Sequence, residues 1–106
     1  MSLYQTVAYT TTGTKASLNL DPSIADFKVT VAANVGTTAT YKMQYSLDPM
    51  TVADSAALWF DSVTIPAGTT TTKIEGMVTP VSRIRLVIAA VSGTLTLQTL
   101  QGISVN

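Results

Sequence analysis

The chain has 106 residues, with six Lys or Arg against six Asp or Glu, so its formal net charge is zero and only 11% of it is charged. It holds no histidine and no cysteine, which removes the commonest general base and metal ligand, any disulfide framework and any thiolate metal site. The cations Lys15, Lys28, Lys42, Lys73, Arg83 and Arg85 are scattered along the chain, whereas neutralising phosphates needs a clustered basic face, so no nucleic-acid partner is expected.

Residues 3–10 read as a first strand, with Leu3, Gln5, Val7 and Tyr9 on one face and Tyr4, Thr6 and Ala8 on the other. As a terminal segment, residues 1–8 can serve equally as an arm. Thr11-Thr12-Gly13-Thr14 is a loop, and residues 16–20 are a short strand with Leu18 and Leu20 inward. Asp21-Pro22-Ser23 stops it, and residues 24–26 extend that loop with room for one helical turn. Residues 27–33 alternate Phe27, Val29, Val31 and Ala33 with Lys28, Thr30 and Ala32. Beyond the turn Asn34-Val35-Gly36, residues 39–46 alternate Ala39, Tyr41, Met43 and Tyr45 with polar neighbours, and the two segments predict a hairpin.

Residues 47–57 are the longest break, and the small residues 53–57 suit a helical turn. Residues 58–65 return to strand with Trp59, Phe60 and Val63, and Pro66-Ala67-Gly68 ends it. The threonine run 69–72 leads into Ile74 and Met77 as an exposed strand or loop edge, a kind of stretch that sets register weakly. The strongest local pattern is residues 83–100, alternating on both sides of Val91-Ser92-Gly93. It predicts a late hairpin whose Ile84, Leu86, Ile88, Leu95 and Leu97 face is core. Gln101-Gly102 breaks the strand and residues 102–106 are a tail.

Roughly seven to eight short strands separated by turn signals, with no amphipathic helix, predict an all-β fold. The expected architecture is a single-domain antiparallel β-sandwich or small jelly roll over residues 1–106. Threonine, β-branched and suited to a pleated sheet, takes the place that charges usually hold on the polar faces. A surface of so little charge favours association. The longest apolar run, residues 86–91, is too short for a membrane span, and no basic-then-apolar leader opens the sequence. The expectation is synthesis in a cytoplasm and use there or in something assembled there, with no membrane partner.

Aspartates flank two loops: Asp21 and Asp26 one, Asp48, Asp54 and Asp61 the other. Their spacing matches no calcium loop, and Asp21 and Asp48 sit before proline, where aspartate starts turns. The many serines and threonines lack an activating histidine or a nucleophile elbow, and the glycines stand alone rather than in a phosphate cradle. No enzyme activity, metal or cofactor is therefore expected. Trp59 and Phe60 are adjacent, so on a regular strand they face opposite ways, and one of them belongs at an interface. Trp59 with Tyr41 and Tyr45 also makes a candidate sugar platform. The outer side of the late hairpin carries Val87, Ala89 and Leu100 beside Arg83 and Arg85. Its apolar residues call for a covering sheet or subunit, and arginine is enriched in interfaces. The candidate interface residues are Leu3, Tyr4, Trp59, Phe60, Arg83, Arg85 and Val87.

Four blocks occur in order: residues 41–48 (YKMQYSLD), Trp59-Phe60-Asp61, residues 80–86 (PVSRIRL) and residues 93–101 (GTLTLQTLQ). Together with Tyr9-Thr10, Gly13 and Leu20-Asp21-Pro22 they span about Tyr9 to Gln101. The set resembles a group of small tailed-bacteriophage proteins found with virion structural genes. That pattern often carries a histidine and a proline after the Trp-Phe-Asp motif; Ser62 and Val63 stand here, so no role of that histidine transfers. The resemblance implies a non-enzymatic virion component made in the host cytoplasm. The head decoration or cement role is favoured: a homo-oligomer, with a trimer as the expected form, docked on the major capsid protein or other virion proteins. The alternative is a neck, tail or fibre module gripping a host glycan or another tail protein through Trp59 and the tyrosines.

Overall fold

Alternating apolar and polar residues build strands that each present one oily face, and nine such strands form among the described residues. In this computed structural model those are residues 2–20, 27–49, 51–78 and 80–102. A front sheet runs in the order β1 (Ser2–Tyr9), β9 (Leu95–Gly102), β4 (Val29–Val35), β7 (Lys73–Met77). A back sheet runs β2 (Gly13–Thr14), β8 (Arg83–Ser92), β5 (Thr38–Ser46), β6 (Trp59–Asp61), with β3 (Leu18–Asn19) also on β8. All pairings are antiparallel.

Between β2 and β3 the Lys15 N–H still donates to the Leu86 carbonyl at 2.9 Å, so the two act as one interrupted strand. The two sheets then run in step. Each front strand lies at the same rank as the strand joined to it in the back sheet: β1 with β2/β3, β9 with β8, β4 with β5, β7 with β6. The chain is a stack of four arches bent around one core. This is the jelly-roll form of the sandwich, a choice that periodicity left open.

Neither expected hairpin forms. β4 pairs with β9 from Val29↔Gln101 to Val35↔Leu95, and β5 pairs with β8 from Thr38↔Ser92 to Ser46↔Arg83. The two turns therefore carry the chain from one sheet to the other, and they nest against each other. The Gly36 N–H donates to the Thr94 carbonyl at 2.8 Å, and a Cβ at Gly36 would sit 2.7 Å from that oxygen. Gly93 has φ 80°, and a Cβ there would meet Thr37 Oγ1 at 2.6 Å. Two glycines thus let two arches share one corner.

The core lies between the sheets. Ile84, Leu86, Ile88, Leu95 and Leu97 are all buried, as their alternation requires, in one cluster with Val29, Val31, Tyr41, Met43 and Ile65. Ladder register shifts once, where Thr40 faces Ala90 but Tyr41 faces Ile88. Ala89 is the extra residue of that bulge, and it lets Ile88 and Val91 both serve the inner side. β6 is shorter than the strand expected over residues 58–65. Past Asp61 the chain bulges but keeps bonding to the edge of β5: Ser62 N–H to Met43 O, Met43 N–H to Ile65 O and Tyr41 N–H to Thr69 O, at 2.8 to 3.0 Å. The helical turn expected over residues 53–57 is one bonded turn, Ala57 N–H to Ala53 O at 3.0 Å. β9 continues through Gly102, which pairs with Ser2. The turn expected at residues 21–26 and the tail at 103–106 lie outside the described residues.

Candidate interaction surface

The seven candidate interface residues do not come together. Arg83, Arg85, Val87 and Trp59 share the outer side of the back sheet, Phe60 sits on its β6 edge, and Tyr4 lies on the outer side of the front sheet. Leu3 is in β1, and its side chain is outside the described residues. The late segment's two outer faces are likewise on opposite sides of the molecule, since β8 and β9 belong to different sheets.

Arg83 is a correction. It is buried, covered by a loop of its own chain rather than held out to a neighbour. Asp48 closes that loop, its Oδ2 accepting from Leu58 N–H at 2.6 Å. Arg83 Nη1 then donates to Asp54 Oδ1 at 2.7 Å and Nη2 to the Pro49 carbonyl at 2.7 Å. Asp54 also accepts from the N–H and hydroxyl of Ser17, at 3.0 and 2.8 Å, which ties the loop to the segment before β3. Burial pushes the Asp54 carboxyl up, but the hydrogen bonds from Arg83 and Ser17 outweigh it and hold the group below its ordinary value.

Trp59 belongs to the same cover. Its indole N–H donates to the Asp54 carbonyl at 2.9 Å, and the Arg85 guanidinium stacks 3.9 Å from the ring centroid. Arg85 Nε donates to Gln44 Oε1 and Gln44 Nε2 to Asp61 Oδ1, while Lys42 pairs with Asp61 at 3.3 Å. The Gln44 and Lys42 hydrogen bonds hold the exposed Asp61 carboxyl below its usual value. One ring face of Trp59 is therefore occupied by Arg85, which bonds to Gln44, while Lys42 and Arg83 pair with Asp61 and Asp54. The remaining platform residues, Tyr41 and Tyr45, point into the sandwich: Tyr41 is buried, and the Tyr45 hydroxyl donates to Ser62, whose own hydroxyl donates to Glu75.

The outer side of the front sheet is different in kind. In the register Tyr4↔Leu100↔Thr30↔Gly76 one row crosses all four strands, and Thr6↔Gln98↔Ala32↔Ile74 makes the next. Among the described residues Lys28 is the only charged group on this side, at one end. Tyr4 is 56% exposed, Leu100 50%, Ile74 67% and Val78 73%. Tyr4 is fixed by Gln98 Nε2, which donates to its hydroxyl at 3.0 Å. Gly76 leaves a gap in the row, and a Cβ there would meet nothing within 4 Å. The result is a groove of ≈ 520 Å³ between Leu100, Thr30 and Val78. Sequence reading names Tyr4 as an interface candidate but reads Gly76, like the other lone glycines, as a turn or bulge residue. The available signal was a glycine inside an alternating run, which marks a place where another surface approaches the backbone.

Among the described residues no three acidic side chains gather where they could hold a metal ion, and no helix is long and apolar enough to cross a membrane. No protein-family model and no curated protein matches the chain. A solved structure from work on Bacillus endospore appendages, described as a novel family of disulfide-linked pili, aligns with a TM-score of 0.48 at 11% identity, covering 98% of this chain and 88% of that one. Likeness at that level carries no argument about what this chain does.

Proposed function

We propose that this protein is a non-enzymatic structural subunit that works by surface contact within an assembled particle. The observation that carries the reading is the outer side of the front sheet: four strands wide, nearly free of charge, and bearing Tyr4, Leu100, Ile74 and Val78 in the open. Exposed apolar area of that kind on a small protein marks a contact surface. The resemblance of the four sequence blocks supplies the particle, a tailed-phage virion. Within it the role is head decoration or cement, with the front sheet seated on the major capsid protein or another virion protein. Many copies on a lattice make each weak contact count, so a shallow groove suffices.

A neck, tail or fibre module reading host glycans would need Trp59 as a free platform. Arg85 against one ring face and the Asp54 carbonyl on its N–H tie the tryptophan to the fold, which favours the decoration role. The test is mass spectrometry of purified virions, followed by a density map of the particle. Recovery at a stoichiometry matching the capsid lattice supports the reading; absence from the virion, or a position at the tail tip, removes it.

A further inference from the structure

We infer that β1 pairs edge to edge with β1 of a second copy across a twofold axis, joining two front sheets into one eight-stranded sheet. An unpaired strand edge offers a row of free N–H and carbonyl groups, and soluble proteins blunt such edges with short strands, charges, prolines or bulges. Three of the four edges here are blunted in this way. β6 is three residues long and ends in Asp61. β2 and β3 are two residues each, with Lys15 between them. β7 carries Lys73, Glu75 and a glycine in five residues. β1 has none of these devices. It runs eight residues, SLYQTVAY, without a charge or a proline, and its pairing with β9 is unbroken from Ser2↔Gly102 to Tyr9↔Leu95. Among the described residues nothing pairs with its other edge.

A second copy fits that edge by symmetry. Antiparallel pairing keeps each residue opposite one on the same face only if paired residue numbers sum to an even value. A twofold through Thr6 does so and sets Tyr4 opposite Ala8 and Gln5 opposite Val7. The one bulky aromatic on the outer face thus meets the smallest side chain, threonine meets threonine, and no charge opposes a like charge. Seven residues at about 3.4 Å make an edge about 24 Å long. The molecule is 21 Å through its thinnest direction. Each copy then covers about 500 Å², on the order of 1,000 Å² in total, which is the lower limit for a specific interface. The product is a weak twofold dimer rather than the trimer expected from sequence. It leaves both outer sides of the front sheets continuous and free for the contact proposed above, and it stands whether or not the particle is a virion.

The absence of cysteine makes the test direct. Thr6→Cys places two thiols opposite each other on the axis, at a Cβ separation near that of a disulfide. Thr96→Cys puts a thiol on the same outer side, but on β9 and away from the edge. Mild oxidation should crosslink the first variant to a dimer at least ten times faster than the second. Sedimentation equilibrium of the unmodified chain should show concentration-dependent mass rising from 11.1 kDa towards twice that value, and Thr6→Lys should hold it at the monomer. Equal crosslinking of both variants, a trimer that Thr6→Lys leaves intact, or a strict monomer at several hundred micromolar, including one that instead takes up an unrelated strand peptide, overturns the inference. None of these outcomes bears on recovery from virions, so the two readings fail separately.

Discussion

Removing Asp54 should loosen the cover of the back sheet more than removing the arginine it pairs with. Arg83 has a side-chain exposure of 4% and Asp54 34%. Asp54→Ala therefore strands a buried guanidinium with the Pro49 carbonyl as its remaining named acceptor and no partner on Nε. Breaking a fully buried pair costs about 3–5 kcal/mol. Water reaches this pair from the aspartate side, and that screening reduces the figure to about 2–3 kcal/mol. With a urea slope of about 1–2 kcal/mol per molar for a chain of this size, the midpoint should fall by about 1–3 M. Arg83→Met removes the charge that needs a partner and leaves Asp54 to solvent, so it should cost about 1 kcal/mol or less. Trp59, the single tryptophan, reports on the same loop through its bond to the Asp54 carbonyl, and its fluorescence is the assay. The pH dependence has a fixed sign. The Asp54 carboxyl is lower in the folded state than in the unfolded one, so its stabilisation is complete above the ordinary carboxylate value and disappears as pH falls through the lowered one. Asp54→Ala should flatten that acid limb. A cost below 0.5 kcal/mol for Asp54→Ala (about the effect of an ordinary surface change), or a larger cost for Arg83→Met, would refute the clamp.

Leu86→Ala, at a fully buried position on the inner side of β8, should cost about 2–5 kcal/mol by chemical denaturation; an unmoved midpoint would put the wrong face inward. The glycines should divide by place. Gly36→Ala drives a Cβ into the Thr94 carbonyl and Gly93→Ala into Thr37, and each should cost about 1–3 kcal/mol as strain or overpacking. Gly76→Ala meets open space on a strand and should add about 0.5 kcal/mol in the same assay. In alkali, burial, seconded by Glu75, raises the Tyr45 hydroxyl above its ordinary value. Its contribution is present below pH 10 and lost as pH rises through the raised value. Ultraviolet titration should show Tyr45 ionising above the ordinary tyrosine range, and Tyr45→Phe should shift the onset of alkaline unfolding upward.

What the sequence made legible is what a period of two encodes. It states which side chains of a strand share a face, so the Ile84, Leu86, Ile88 set and the Leu95, Leu97 set were readable as core, while in β1 it separated two faces without saying which is outer. It does not state which strand lies alongside. A hairpin and an arch both join two alternating strands by a short glycine-bearing turn and bury one face of each. They differ in whether the strands lie side by side in one sheet or face each other across the core. At residues 34–37 and 92–94 that difference is decided by one turn packing on the other, through Gly36 on Thr94 and Gly93 on Thr37. Such a contact joins positions almost sixty residues apart, and no local pattern records it. Arg83 was misplaced for a related reason. Its parity is outward, and outward was equated with solvent or a neighbour, while a loop rooted at Asp48 folds back over that spot and supplies Asp54. The two apparent outer faces of the late segment thus became two sides of the molecule with opposite characters. On the back, Arg83 pairs with Asp54 beneath a loop, Lys42 pairs with Asp61 in the open, and Arg85 lies against Trp59 and Gln44. On the front, charges are nearly absent, and the unguarded β1 edge borders that same side. The neutral open side and the neutral open edge are the two features on which the proposed contacts rest.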